Sequence, residues 1–304
     1  MLSNNTLRSK FQRIASMPRR MESALEEIKV NQGRLLAELN RAKDTCQLQK
    51  FEFKVFSQWG EDGIIQRLIE VVKIQNKTFI EFGIEDFSES NCRFLMTKDN
   101  WSGFVIDGAY SNINRLKRNR YFWKYDIAAI TAFVNIENIN ELLSKSGFDR
   151  DLGILSVDID GNDYYVIEAI REFSPRILIS EYNAVFGAER SISIPYDGLF
   201  VRRNAHHSNL YYGASLRAIA YLCGKKGYSL VGTNSAGNNA FFVRNDLINE
   251  KLEVLSAQDA FTDSKLREGR DKEGNLTYAS GSARLDMIRG LPVYNVETEK
   301  IEEL

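Results

Sequence analysis

Gly153-Ile-Leu-Ser-Val-Asp158-Ile-Asp160-Gly161-Asn-Asp163-Tyr-Tyr-Val-Ile167 is the stretch whose reading decides the fold. Its first half is a short continuous apolar run, the mark of a strand buried on both faces. Acids and a glycine follow, and an apolar helical stretch over 162–173 comes next. The same unit repeats on both sides. Upstream, a helix over 61–72 leads into Thr78-Phe-Ile-Glu-Phe-Gly83. Gly103-Phe-Val-Ile-Asp107 and Tyr121-Phe-Trp-Lys-Tyr125 read as the second and third strands, and downstream Arg176-Ile-Leu-Ile-Ser-Glu181 reads as the fifth. Strands alternating with helices predict a parallel sheet covered on both faces. The last two apolar runs, Tyr228-Ser-Leu-Val-Gly232 and Ala240-Phe-Phe-Val-Arg244, are joined by only seven residues. That link is too short for a helical crossover and predicts an antiparallel hairpin.

Around this sheet the chain divides into an N-terminal helical arm (1–50), a central α/β domain (51–245) and a C-terminal extension (246–304). The whole has 304 residues, 40 Lys+Arg and 41 Asp+Glu. A balance so near zero gives no support for nucleic-acid binding, and 18 Phe with 13 Tyr argue against disorder. Three scattered cysteines, Cys46, Cys92 and Cys223, exclude a disulfide scaffold and predict a reducing, cytoplasmic setting.

In the arm, Arg8, Lys10, Arg13, Arg19 and Arg20 are unopposed by any acid among residues 1–20. Leu7, Phe11 and Ile14 predict a short amphipathic helix ending at Pro18. It reads as a packed or frayed terminal helix, or as a segment docking on an anionic inner membrane face or a partner. Met21, Leu25, Ile28, Gln32, Leu35, Leu39, Ala42 and Cys46 then follow spacings of four and three, a heptad-like seam. The seam predicts self-association, or one amphipathic helix lying on its own domain.

In an open parallel sheet the binding crevice lies at the carboxyl ends of the strands. On this reading every strand ends in an acid: Glu81, Asp107, Asp126, Asp158 with Asp160, and Glu181. Such a crevice is strongly negative and suits a cation, a metal or hydroxyl-rich groups. A dinucleotide site wants a glycine-rich first turn that meets a pyrophosphate with bare N–H groups. Here Gly83 is followed by Glu85, Asp86 and Glu89, which repel phosphate. S-adenosylmethionine carries a sulfonium cation and no phosphate. Gly83 lets the backbone approach a ligand, Asp107 is placed to accept from ribose hydroxyls, and Asp126 is placed to meet the adenine amino group or to cap a helix.

The strand order with its terminal hairpin resembles a class I S-adenosylmethionine-dependent methyltransferase, and the segment 155–167 resembles the strand-four signature of the FkbM-like methyltransferases. The likeness spans residues 55–245. The usual second and third glycines of the first loop are replaced around Glu85 and Phe87. The resemblance implies a Rossmann-like sheet, S-adenosylmethionine as cofactor held in part by Asp158, and methylation of hydroxyl groups, often on sugars. It also makes Gln58, in Ser57-Gln-Trp-Gly-Glu-Asp62, a candidate for the methionine end of the cofactor. The other reading of that stretch is a helix N-terminus where Glu61 and Asp62 favour the dipole.

Methyl transfer to an alcohol needs a route for the hydroxyl proton. The candidate bases are His206 and His207, the chain's only histidines, in the long aromatic segment 183–213, or Asp160. Alternatively Asp158, Asp160 and Glu181 supply hard oxygen ligands to Mg²⁺, which lowers the hydroxyl's pKa. The tyrosines and arginines of that segment suit a sugar or sugar-linked acceptor, in surface-glycan synthesis for example. Two rival readings are a dinucleotide-dependent oxidoreductase and a catalytically inert Rossmann-like coiled-coil assembly protein.

Overall fold

The computed structural model describes residues 4–304, with side chains described from Met17 onward except Arg19. The docking reading of the basic stretch falls mostly on side chains outside that description. Seven strands form the central sheet: β1 (Thr78–Phe82), β2 (Ser102–Asp107), β3 (Ile127–Thr131), β4 (Ile154–Val157), β5 (Ile177–Glu181), β7 (Tyr228–Thr233) and β8 (Asn239–Arg244), with β6 placed elsewhere at Ile192–Ser193. Their order is β3-β2-β1-β4-β5-β8-β7. The pairs among β1 to β5 are parallel, and β8 runs antiparallel to both β5 and β7. This is a Rossmann-like α/β sheet, mostly parallel with a terminal antiparallel hairpin, as the sequence predicts.

Period-two alternation divides the strand side chains between two cores. Phe79, Val105, Ile154, Ile177 and Phe241 pack beneath α2 (Glu61–Val72) and α3 (Arg93–Asp99). Ile80, Phe104, Leu155, Leu178 and Phe242 pack on the opposite face with the helices Ile139–Ser144, Asp163–Ala169 and Leu216–Lys225. Strands buried on both sides read as continuous apolar runs, which is why the sequence exposes them so clearly.

The third strand is a correction. Tyr121–Tyr125 is not a strand: residues Arg120–Lys124 form a short helix, started by Asn119, whose side chain accepts the Arg120 N–H. The strand is Ile127–Thr131, one element later, pairing with β2 from Gly103↔Ile127 to Asp107↔Thr131. Aromatic residues favour strands, but only Tyr121 of that run is buried. At the edge of the sheet, Ile127-Ala-Ala-Ile-Thr131 alternates between the core and solvent.

The segment 183–213 and the C-terminal extension belong together. Strand β6 (Ile192–Ser193) pairs antiparallel with β9 (Pro292–Asn295), which pairs with β10 (Lys300–Glu303). Ile192, Ile194, Tyr211, Ile288 and Val293 form a small separate core beneath this second sheet.

Helix α1 (Asn4–Arg41) is continuous through Pro18, where the sequence predicts a stop. One face lies on the domain. Gly33 sits so close that a Cβ there would stand 2.4 Å from Val55 and 2.7 Å from Phe94. Val30, Leu36 and Ala37 pack against Phe53, Val55, Phe56 and Phe94. Glu26 pairs with the buried Arg93 at 3.0 Å, and Asn40 donates to the Phe51 carbonyl at 2.6 Å. The heptad seam is not that face: Met21, Leu25, Ile28, Leu35 and Leu39 are 55–67% exposed. Ala42 and Cys46 lie beyond the helix end. Among the described residues no helix is long and apolar enough to cross a membrane.

Candidate active site

A cavity of about 190 Å³ opens at the carboxyl ends of β1, β2, β3 and β4, among Gly83, Glu85, Asp107, Phe133, Asp158 and Phe200. The turn leaving β1 forms one wall. Gly83 has φ +69°, and a Cβ on it would lie 1.6 Å from the Asp158 carbonyl oxygen, so only glycine lets the two strand ends meet. Two residues on, Glu85 holds φ +47° and Phe87 φ +65°. These are the positions where the resemblance expects glycines. The left-handed backbone is kept without them, at a cost of roughly 1–2 kcal/mol each. Phe87 is fully buried, which offsets its strain, whereas Glu85 is exposed.

Glu81 does not present a free carboxylate to this cavity. It accepts from Ser90 Oγ (2.6 Å) and from the N–H groups of Asn91 (2.7 Å) and Cys92 (3.3 Å), and so ties down the far end of the same loop. Burial pushes its pKa up to about 7. Asp107 is different. Its Oδ1 accepts from the Ala109 N–H (2.8 Å) and from Asn112 (3.0 Å), while Oδ2 has no protein partner among the described residues. One oxygen orients the side chain and the other is not committed to it.

Asp126 must be removed from this site. It precedes β3 instead of ending it, so it lies at the opposite edge of the sheet, where it accepts from Ser102 Oγ at 2.6 Å. Its place at the mouth is taken by Ala132, Phe133 and Val134, which follow β3; Phe133 is 46% exposed. Sequence reading misses Phe133 because it misplaces the strand.

Gln58 is exposed and accepts from the indole N–H of Trp59 (2.9 Å); it is not among the residues lining the cavity. Its neighbours Glu61 and Asp62 stand in the first turn of α2, as the helix-start reading expects, and both are also buried. One oxygen of Asp62 accepts from the N–H groups of Val55, Phe56 and Ser57, all within 2.8 Å, and burial still raises its pKa to about 6. Glu61 accepts from Asn234 and Asn239 and so clamps the terminal hairpin to the loop before α2.

The centre of negative charge is the β4–β5 edge. Carboxylate oxygens of Asp158, Asp160 and Glu181 all lie within 4.8 Å of one another. Glu181 Oε2 is buried with no hydrogen-bond partner. Burial, then the charges of Asp160 and Asp163, push Asp158 well above the usual carboxylate range; burial, then Asp158, does the same to Glu181. Asp163 has a local task. It accepts from the N–H groups of Ile159 (2.9 Å) and Gly161 (3.0 Å), pinning the turn in which Asp160 adopts φ +56°.

One cation already stands here. Arg202 donates to Asp160 at 2.7 Å, to Glu268 at 2.5 Å and to the Asn209 carbonyl at 2.8 Å, and stacks 3.6 Å above the Tyr212 ring. Glu268 comes from the C-terminal extension, a contribution that no local sequence pattern signals. Phe200 packs on Gly161 and Asn162 donates to the Asp197 carbonyl (2.8 Å), so residues 197–202 are drawn over the end of β4.

The two histidines are not brought to the cavity. His206 shares a 2.8 Å hydrogen bond with Ser208, its ring lies 4.1 Å from that of His207, and neither is among the cavity-lining residues. Partial burial, then His207 and Lys272, lower the His206 pKa.

No family model matches the chain, and no curated protein does. Among solved structures it is similar to a protein assigned as a caffeoyl-CoA O-methyltransferase from Staphylococcus aureus, at 14% identity and TM-score 0.41, over 75% of this chain and 99% of that one. It is similar to an O-methyltransferase family protein from Burkholderia thailandensis at 12% identity and TM-score 0.37, over 60% and 58%. A SAM-dependent methyltransferase from Aquifex aeolicus follows at 8% identity and TM-score 0.34, over 68% and 96%.

Proposed function

We propose that the chain is an S-adenosylmethionine-dependent O-methyltransferase of FkbM-like type, acting on a sugar hydroxyl and serving the synthesis of a surface glycan. The observation that carries this reading is the pairing, in one crevice, of an Asp107 oxygen without a protein partner and an under-neutralised carboxylate cluster. The first suits a ribose hydroxyl; the second suits a positive charge and repels a pyrophosphate.

When bound, S-adenosylmethionine supplies the activated methyl group. The chain's own residues do the rest. Asp107 Oδ2 accepts from the ribose, and the ring of Phe133 offers an apolar face beside it. Asp158, at the end of β4 and in the cavity wall, is the acid placed to face the cofactor's positive charge. Asp158, Asp160 and Glu181 are all hard oxygen donors, and the orphaned Glu181 Oε2 fits a divalent cation such as Mg²⁺. The three acids would hold such an ion, which would supply Lewis-acid help in deprotonating an acceptor hydroxyl. Asp160 is the exposed member of the trio, and its oxygen not engaged by Arg202 is the candidate acceptor of the hydroxyl proton. Leu199 and Val201, exposed in the segment drawn over β4, offer apolar surface to the C–H face of a sugar.

Calorimetry with S-adenosylmethionine, S-adenosylhomocysteine and NAD tests the cofactor. The first two should bind and NAD should not; NAD binding with no response to the others overturns the proposal. Asp107→Ala should weaken cofactor binding about tenfold, the loss of one hydrogen bond to a charged acceptor. Chelation followed by Mg²⁺ add-back tests the ion: activity that survives the chelator assigns the hydroxyl proton to Asp160 alone.

A further inference from the structure

We infer that the exposed seam of α1 is an interface with a second copy of this chain, and that the protein is a parallel coiled-coil dimer. Met21, Leu25, Ile28, Gln32, Leu35 and Leu39 occupy alternating d and a positions of a heptad. The residues that dock α1 on its own domain are Glu26, Val30, Gly33, Ala37 and Asn40 at b and f positions and Leu36 at e, none of them on the seam. Intramolecular packing therefore uses up one face and leaves the seam bare. Two copies paired along their seams would carry their domains on the outer faces of the helices, away from the two-fold axis.

Size, polarity and charge name the occupant. The five large apolar seam residues are each more than half exposed. Together they bare on the order of 600 Å², the top of what a monomer ordinarily leaves exposed. That is close to the ~800 Å² per partner of a standard interface. In the sequence Ile14, Phe11 and Leu7 fall in the same heptad register, with Pro18 at the intervening seam position. Gln32 is the single polar a residue of the seam. In a parallel dimer it meets its own symmetry mate, and each amide can donate to and accept from the other. Against an apolar groove of a different partner it would be buried unsatisfied. Residues 17–41 carry five basic and four acidic side chains, so two copies meet without strong repulsion.

Sedimentation velocity of the full chain should show a species of twice 34.8 kDa at about 10 µM. The double variant Leu25→Glu with Ile28→Glu should sediment as a monomer with an unchanged melting temperature, because neither residue touches the domain. Gln32→Leu should tighten association at least about tenfold or raise the oligomer number. Leu25→Cys should form a covalent dimer on oxidation, and Glu27→Cys, off the seam, should not. A wild-type chain that stays monomeric to about 100 µM overturns the inference. So does a dimer that persists in the double variant, or a monomer that uses the seam to bind anionic vesicles.

Discussion

Glu85 and Phe87 show how a loop keeps its shape after losing the residues that make the shape easy. Both sit at positive φ, and both bear a Cβ that crowds the backbone there. Glu85 is exposed, so no packing offsets its strain. Glu85→Gly should therefore be more stable than Glu85→Ala by about 1 kcal/mol in urea denaturation. Phe87→Gly should lose several kcal/mol, on the order of 3–5, because the buried ring outweighs the relieved angle. Equal stability of the two Glu85 variants would show that residue 85 is not held at positive φ in solution. The same comparison bears on chemistry. Asp158→Asn and Glu181→Gln should abolish methyl transfer, whereas His206→Ala and His207→Ala, outside the cavity, should retain it. A simple assay with a sugar acceptor decides between them.

At the scale of elements, what could be read was whatever is buried on both faces or repeated locally. β1, β2, β4, β5 and the β7–β8 hairpin stand in the sequence almost where they stand in the fold, since an uninterrupted apolar run has one good home. The edge strand β3 was misread because one of its faces is solvated and the helix before it is richer in aromatic residues. That single displacement carried Asp126 to the wrong edge and hid Phe133. Asp126→Ala should accordingly leave cofactor affinity unchanged in calorimetry, while a tenfold loss would return Asp126 to the site. The second sheet was beyond local reading for another reason. β6 has only two residues, and its partner β9 lies about a hundred positions later. Glu268 reaches Arg202 over a similarly long separation, of 66 residues. The roles of Glu61 and Asp62 were hidden too, because a carboxylate buried among backbone N–H groups looks in sequence like any helix-starting acid.

Taken as a whole, the molecule is nearly neutral, yet its buried carboxyls are concentrated around one edge of one sheet. Asp62 and Glu81 are raised by burial to about 6 and about 7, against roughly 4 in an unfolded chain. A group with a raised folded pKa takes up a proton on folding. Its contribution is full below about pH 4 and is lost as pH climbs through the folded value. Asp158, Glu181 and Asp163 are shifted the same way. The carboxyls shifted downward, such as Asp151 and Asp246, act only in more acidic solution, and His206 opposes the trend as a single, partly exposed group. The ligand-free protein should therefore melt at a higher temperature at pH 5.5 than at pH 8, and Glu81→Gln should flatten the slope. A cation in the crevice reverses the balance, because it favours the ionised acids. S-adenosylmethionine should consequently raise the melting temperature more at pH 8 than at pH 6. A ligand-induced shift independent of pH would mean that the crevice acids do not face the cofactor's positive charge.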